Sequence, residues 1–253
     1  MKSLLKSMLR GAGYELRRRE APPSAGGLQR PVGDFGCLLE DLRARGFAPR
    51  AILDGGANSG GWSRLAKSIF PGADCYLFEP QEEMRVSLEE FCRDFPDSKY
   101  FLAGVGAVPG ELELNVYDDL VGSSFVSKPT ADPRSPAKVR RVPICTVDEM
   151  VASGKIPQPE LIKLDVQGFE LEVLRGAAQV LPKAELAILE VSLFHFEPAW
   201  PILHEVVAFM AARGFVTYDF AGYRRRPLDG ALGQTDICFA REDGELRQKS
   251  TWS

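Results

Sequence analysis

Apolar residues in the middle of the chain fall into short blocks, interrupted only at Lys163 and each stopped by an acid. Ala51–Leu53 stops at Asp54, Cys75–Phe78 at Glu79, Leu161–Leu164 at Asp165 and Leu186–Leu189 at Glu190. Blocks that are apolar on both faces are how strands read when a parallel sheet is covered on both sides. Between them, apolar residues return at helical spacing over Trp62–Ile69, Gln81–Phe95, Phe169–Leu181 and Trp200–Arg213, the last closed by Gly214. Another helix is expected over Phe35–Arg45, with Gly46 near its end, and Tyr100–Val105 reads as a third strand. The βαβαβ order predicts an α/β fold around a mostly parallel sheet.

Two regions depart from this rhythm. Glu111–Tyr117, Ser124–Val126 and Val139–Cys145 are β-like segments joined by Gly and Pro turns, with an irregular loop over Asp132–Pro136. They predict a β insertion after the third strand, followed by a helix near Thr146–Ala152. Phe215–Phe220 and Asp236–Ala240 read as strands with no helix between them, which makes them an antiparallel pair. The chain divides into a basic extension and linker over residues 1–30, a catalytic-size domain over 31–245 and a short tail over 246–253.

Residues 1–19 place Leu4, Leu5, Met8, Leu9, Ala12 and Leu16 at helical spacing among Lys and Arg. Two readings stand: a helix packed on the domain or a partly disordered leader, and a basic amphipathic helix in peripheral contact with an anionic membrane or partner surface. Composition narrows the rest. Of 253 residues, 45% are hydrophobic and 26% charged, and the net charge is −4, which argues against a broad nucleic-acid surface. Five cysteines without a C-x-x-C pair argue against a disulfide framework or a structural zinc site and for a reducing, cytoplasmic setting. No apolar run is long enough to span a bilayer.

The chemistry begins at Asp54-Gly55-Gly56-Ala57-Asn58-Ser59-Gly60-Gly61, where a strand hands over to a helix. Such a turn lets a ligand approach the backbone and aims the next helix's amides at it. The rival is a dinucleotide turn, G-x-G-x-x-G, but the spacing differs, and a carboxylate directly before the glycines repels a pyrophosphate. Asp54 suits a ligand with an ammonium and a sulfonium, S-adenosylmethionine. Glu79, at the end of the neighbouring strand, is placed to accept both ribose hydroxyls.

The residues also resemble a known family. The motif over Asp54–Gly60, then Phe78-Glu79-Pro80, Ser123-Ser124, Thr146-Val147-Asp148, the run from Ile162 to Ala177 containing K-x-D-x-x-G-x-E, and Leu189-Glu190-Val191 closely resemble FkbM methyltransferases over roughly residues 50–192. The resemblance implies a Rossmann-like class I methyltransferase fold with seven-stranded sheet order 3-2-1-4-5-7-6. It implies O-methylation of a hydroxyl on a sugar, glycolipid, polysaccharide or polyketide-like acceptor. It carries donor binding onto Asp54, Gly56 and Glu79, and a functional role onto Lys163, Asp165, Gly168 and Glu170. Gly55 departs from the family, which usually has an apolar residue there.

The donor set expected from this reading is Asp54, Gly56, Ala57, Asn58, Gly60, Glu79, Pro80, Ser124 and Asp165. An aliphatic hydroxyl needs a base or a metal to take or weaken its proton. The candidates are Asp165, Glu190 and His195, the last in the loop after the fifth strand. Asp165 has a second reading, as a contact for the donor's ammonium or, with Glu190, for a divalent metal. His195 competes with a structural role among its aromatic neighbours, and mid-helix His204 is expected to be structural. Lys163 is expected to pair with a buried acid. Glu170 is expected to cap the next helix or touch the acceptor, and Ser123 and Ser124 to line a pocket or serve as loop residues. Tyr223–Arg226 is either a solvated hairpin tip or a hold on an acidic acceptor.

Two other classes stay open at the level of sequence: a nicotinamide-dependent oxidoreductase and a non-catalytic nucleoside-binding module. A D/N-P-P-Y/F/W motif is absent, so no nucleic-acid acceptor is expected.

Overall fold

In the computed structural model the described residues are 30–117, 120, 122–125, 138–249 and 251. The basic segment 1–19, the linker after it, Val126 and Asp132–Pro136 lie outside them. The elements are α1 (Phe35–Ala44), β1 (Ala51–Gly55), α2 (Gly61–Ile69), β2 (Asp74–Phe78), α3 (Arg85–Asp94), β3 (Lys99–Phe101), β4 (Gly104–Val105), β5 (Gly110–Val116), β6 (Lys138–Cys145), α4 (Val147–Ala152), β7 (Leu161–Leu164), α5 (Glu170–Arg175), β8 (Leu186–Ser192), α6 (Leu203–Ala211), β9 (Phe215–Arg225) and β10 (Leu232–Arg241).

Seven strands form one sheet in the order β3-β2-β1-β7-β8-β10-β9. Counting only these seven along the chain, the order is 3-2-1-4-5-7-6, as the family resemblance implies. The first five are parallel, and β10 runs antiparallel to both β8 and β9. β1 and β7 are fully buried because each faces a core on both sides. Leu53, Tyr76, Ile162, Leu164 and Leu189 pack into one cluster with residues of α4, α5 and α6. Ile52, Cys75, Leu77, Leu161 and Ile188 pack into the other with residues of α1, α2 and α3. Each such side chain contributes about 1.5–3 kcal/mol on burial. Sheet and helices thereby hold the carboxyl ends of β1, β2, β7 and β8 side by side.

Several boundaries differ from the sequence reading, for local reasons. The third strand breaks in two: β3 joins the large sheet, while β4 joins a separate three-stranded sheet, β4-β6-β5, with its own core of Leu114, Val116, Val142 and Ile144. Gly104 permits the departure, since a Cβ there would lie 2.5 Å from the Phe125 ring. Of the described part of Ser124–Val126, Ser124 pairs as a bridge to Asn115. The helix expected over 81–95 starts as a single 3-10 turn, Glu82–Met84, before α3.

The helix expected over 169–181 stops at Arg175. A Cβ on Gly176 would lie 2.0 Å from the Gly106 carbonyl oxygen, so two backbones meet there, and the chain continues to a 3-10 turn at Leu181–Lys183. β8 extends past Leu189 to Ser192, which keeps Glu190 on the strand. α6 is shorter than Trp200–Arg213, and β9 and β10 are longer than expected. No helix among the described residues is long and apolar enough to cross a membrane.

Candidate active site

The turn after β1 is built from backbone. Gly56 has φ +76, and a Cβ on it would lie 1.9 Å from the Asp165 carbonyl oxygen, so β1 and β7 can converge only around a glycine. Gly56 N–H and Ala57 N–H both donate to the Phe78 carbonyl, at 2.9 and 3.1 Å. Asn58 takes φ +48, and Gly60, at φ +79, opens α2 without a side-chain cap. Positive φ at a non-glycine residue costs of order 1–3 kcal/mol and persists only where surroundings enforce it. Here Asn58 N–H donates to Glu79 Oε2 (2.8 Å), and its Nδ2 donates to the Leu120 carbonyl (2.9 Å).

Glu79 joins the turn to the end of β2. It is 3% exposed and also accepts the Gln81 N–H at Oε1, 2.9 Å. Burial pushes its carboxyl above the usual carboxylate range, against these backbone donors. The β insertion closes over it: Gln81 Nε2 donates to the Leu120 carbonyl (3.1 Å), and Ser123 Oγ donates to Gln81 Oε1 (2.9 Å). Gly56, Asn58, Glu79, Pro80, Ser123 and Asp165 are among the residues lining the resulting cavity of about 200 Å³.

Asp54 lies beneath this cavity, fully buried. Ser63 Oγ donates to its Oδ2 at 2.6 Å, while Oδ1 is buried without a hydrogen-bond partner. Burial raises its pKa, opposed by the Lys163 ammonium and the Ser63 hydroxyl. Ala57 is buried in the adjoining core.

β7 carries Lys163, and Asp165 follows directly at the strand's end, on the face that alternation gives to Lys163. Lys163 Nζ donates to Asp165 Oδ2 at 3.1 Å. Burial would lower the lysine's pKa, but Asp165, Asp54 and Asp236 together raise it, so it stays charged. Burial likewise would raise Asp165, yet Lys163 and hydrogen bonds from Lys163 and Gln167 hold its carboxyl below the usual range. Glu190, 8% exposed on β8, goes the other way: burial, then Asp165, Glu170 and Asp236, push it up to about 9. Near neutral pH this pair carries its charge on Asp165 and its proton on Glu190. Two carboxyl groups with diverging pKa values are a common basis for acid–base work.

Gln167 links the two. Its Nε2 donates to Asp165 Oδ1 (2.8 Å) and to Glu190 Oε2 (3.0 Å), from a backbone at φ +52. The loop around it is clasped: Glu170 Oε1 accepts Val166 N–H (3.1 Å) and Gly168 N–H (3.2 Å), and Ser124 Oγ donates to the Gln167 carbonyl (2.9 Å). Glu170 is itself buried, and burial raises it to about 7.

Beyond Asp165 and Glu190 a second chamber opens, of about 540 Å³, walled by Phe35, Trp62, Tyr223, Arg224, Gln234 and Asp236 among others. Asp165 and Arg224 line both spaces. β10 places Asp236 directly opposite Glu190, and burial raises Asp236 to about 6. Gln234 Nε2 donates to Glu190 Oε2 at 2.9 Å.

The structure thus gathers Gly56, Asn58, Glu79, Pro80 and Asp165 around one cavity, with Asp54 below and Glu190 adjoining. Ser124 touches it through Gln167. His195 is not brought to this group. It is exposed, its Nδ1 is 3.2 Å from the Trp200 carbonyl, and it lines a separate depression with Gly168, Phe169 and Trp200. His204 is exposed on α6. Asp165 and Glu190, the pair named for a divalent cation, share the Gln167 amide. Among the described residues no group of three or more His, Cys, Asp or Glu is placed to hold a metal. Sequence reasoning passed over Gln81, Gln167, Gln234 and Asp236. Gln167 lay inside a recognised motif, and Asp236 was a lone acid heading an apolar strand.

These residues fit S-adenosylmethionine on structural grounds. Gly56 keeps the floor free of side chains, Glu79 is a buried acid on the cavity wall, and Asp54 has an orphaned buried oxygen. Burial raises both acids, and a cationic ligand nearby would return them to the charged form.

The chain is similar to several known methyltransferases. A methyltransferase FkbM from Methylobacillus flagellatus KT superposes with a TM-score of 0.49 at 17% identity, over 81% of this chain and 48% of that one. A 1,6-didemethyltoxoflavin-N1-methyltransferase from Burkholderia thailandensis, solved with S-adenosylhomocysteine, gives 0.44 at 11% identity, over 81% and 76%. The hexuronic acid methyltransferase AglP of Haloferax volcanii is 46% identical over 44 residues, 17% of this chain and 18% of AglP. The chain therefore spans under half of the FkbM structure and under a fifth of AglP. The family description "Methyltransferase FkbM domain" matches residues 54–217, which include Asp54, Glu79, Asp165, Glu190 and His195, and the chain belongs to the FkbM methyltransferases.

Proposed function

We infer that the protein is an S-adenosylmethionine-dependent O-methyltransferase acting on a hydroxyl of a sugar or a related glycolipid, polysaccharide or polyketide-like acceptor. The observation that carries this reading is the sharing of Asp165 between two spaces, one built from the glycine turn and Glu79, the other open to a second ligand. AglP's name, a hexuronic acid methyltransferase, supports a sugar acceptor. Membership of a methyltransferase family sets aside the nicotinamide oxidoreductase.

Glu79 would hold the ribose, the Gly56–Asn58 backbone the body of the donor, and Asp54 with Asp165 the cationic end. When bound, the donor supplies an electrophilic methyl group whose sulfur leaves as a neutral thioether. Asp165, ionised beside Lys163, accepts a hydrogen bond from the acceptor hydroxyl and takes its proton as the new C–O bond forms. Glu190, protonated, does not compete for that proton and lowers the local negative charge. Gln167 fixes the two carboxyl groups relative to each other, which matters because misplacement by about 1 Å can cost two orders of magnitude.

Two experiments test this. Calorimetry should show binding of S-adenosylmethionine and none of NAD. Incubation with isotopically labelled donor and a panel of hydroxylated glycans should give a product heavier by one methyl. A protein that binds the donor and methylates nothing across neutral, acidic and lipid-linked sugars would count for the non-catalytic nucleoside module instead.

A further inference from the structure

The tip of the β9–β10 hairpin carries Arg224, Arg225 and Arg226 in a row, and the structure treats them differently. Arg226 is tied to Asp229, Nε to Oδ1 at 2.7 Å. Arg225 Nη1 donates to the Gly230 carbonyl at 2.8 Å. Arg224, with a side chain 61% exposed, lines both the cavity and the larger chamber at their mouth with solvent. Its approach to Glu190, Nη1 to Oε1 at 4.0 Å, is too long for a hydrogen bond.

The neighbouring acids do not answer it. Asp165 is bonded to Lys163 and Gln167. Glu190 Oε2 is bonded to the Gln167 and Gln234 amides. Asp236, across the ladder from Gly222, lies between the fields of Lys163 and Arg224 and is bonded to neither. Glu190, held protonated at neutral pH, adds no charge opposite the guanidinium. A guanidinium is the side chain suited to grip a carboxylate or phosphate through two parallel bonds.

The rest of the chamber suits a ring with one apolar face and several hydroxyls. Phe35 and Trp62 meet edge to face, with ring centres 6.4 Å apart, and Tyr223 stands on the wall nearest Arg224. Trp62 brings apolar indole surface to the chamber wall beside Phe35.

Resting on the methyltransferase reading for which of the two spaces takes the acceptor, we propose that the larger chamber binds the acceptor sugar and that Arg224 pairs with an anionic group on it, a carboxylate or a phosphate. The enzyme then selects acidic over neutral sugars. The pairing fixes which hydroxyl reaches Asp165, since one end of the ring is anchored by charge.

The test uses the full chain with S-adenosylhomocysteine present and follows binding by ligand-observed NMR. Glucuronate, glucose 1-phosphate and glucose are the probes. Wild type should bind one or both acidic sugars about tenfold or more tighter than glucose, and the two acidic probes separate carboxylate from phosphate. Arg224→Gln should erase that preference while unfolding at the wild-type temperature, and Arg225→Gln should keep it. Equal binding of acidic and neutral sugars, no binding of any of the three, or a preference that survives Arg224→Gln overturns the proposal. Binding of S-adenosylhomocysteine is measured separately, so a failed donor reading with an intact acidic preference is distinguishable from failure of this one.

Discussion

The two spaces that meet at Asp165 are made of different material. The smaller cavity has a floor and rim fixed through backbone groups: Gly56 against the Asp165 carbonyl, Asn58 N–H on Glu79, and the Leu120 carbonyl taking two side-chain amides. The larger chamber is walled by long side chains drawn from distant parts of the chain, Phe35 on α1, Trp62 on α2, and Arg224 and Asp236 on the last two strands. A site made of backbone tolerates little change and serves one fixed ligand. A site made of side chains on separate elements can be re-lined without disturbing the sheet. The contrast separates a space fixed by backbone from one lined by replaceable side chains, and substitutions on each side, and at the junction between them, can break it.

The largest effect is expected at the junction. Asp165→Asn removes the proposed proton acceptor while keeping the shape, and kcat should fall by about 10²–10⁴. The donor dissociation constant should move less than tenfold, since Asp54 and Glu79 remain. Steady-state kinetics with labelled donor, alongside calorimetry, separates the two quantities; a variant that keeps its kcat removes Asp165 from the base role.

On the donor side, Gly56→Ala places a methyl group 1.9 Å from a carbonyl oxygen at φ +76. Neither the β7 backbone nor the turn can give way cheaply, so a loss of about 3 kcal/mol or more in stability is expected, with donor binding abolished. Chemical denaturation reads the first and calorimetry the second. Glu79→Ala is gentler on the fold. It leaves the Asn58 and Gln81 amides without their acceptor and removes the ribose contact, and donor affinity should weaken by about 30- to 100-fold. Unchanged affinity in Glu79→Ala would falsify the assignment of this cavity to the donor.

How much of this was readable beforehand follows the same division. The glycine turn, Asp54, Glu79, Lys163 and Asp165 were legible because their signal is local: an apolar block, then an acid, then glycines or a helix. The sheet order followed from the family resemblance. Gln234 and Asp236 were not legible, because their importance depends on β10 inserting antiparallel between β8 and β9, which sets Asp236 opposite Glu190. Arg224 was read only as one of three basic residues, since nothing in a run of arginines says which one borders both spaces. The split of the third strand depended on Phe125 packing on Gly104, a contact between residues far apart in the sequence. His195 shows the reverse: a residue of the right chemistry, in the right loop, whose ring faces the Trp200 carbonyl in another depression.

The junction also has a pH signature. Glu190's folded pKa, about 9, lies above its unfolded value, so the native state holds a proton that the unfolded chain has released. Its contribution is therefore present at low pH and is lost as pH rises toward 9, because the native state binds more protons throughout that window. Asp165, depressed in the folded state, contributes in the opposite sense, with stability lost as pH falls through its lowered pKa. Glu190→Gln mimics the protonated form and should match wild type near pH 4, below the ordinary carboxylate pKa. It should be the more stable of the two near pH 9. Thermal unfolding across that range checks it, and parallel curves for the two proteins would mean Glu190 ionises normally.

The smallest and most discriminating change is Gln167→Gly. Glycine accepts φ +52 without strain, so the substitution relieves a cost of order 1 kcal/mol or more in the backbone. It also deletes the amide that joins Asp165 to Glu190, which costs about as much. Net stability should shift by less than about 1 kcal/mol, and donor affinity should hold because the glycine turn and Glu79 are untouched. Activity should nevertheless fall, and its pH profile should move, since the two carboxyl groups are no longer held through one donor. Gln167→Asn, which keeps an amide on a shorter arm, should fall between wild type and glycine in rate. If Gln167→Gly is stable, binds donor and turns over at the wild-type rate with an unchanged pH profile, the amide is only a loop constraint, and the two carboxyl groups are positioned by their own strands.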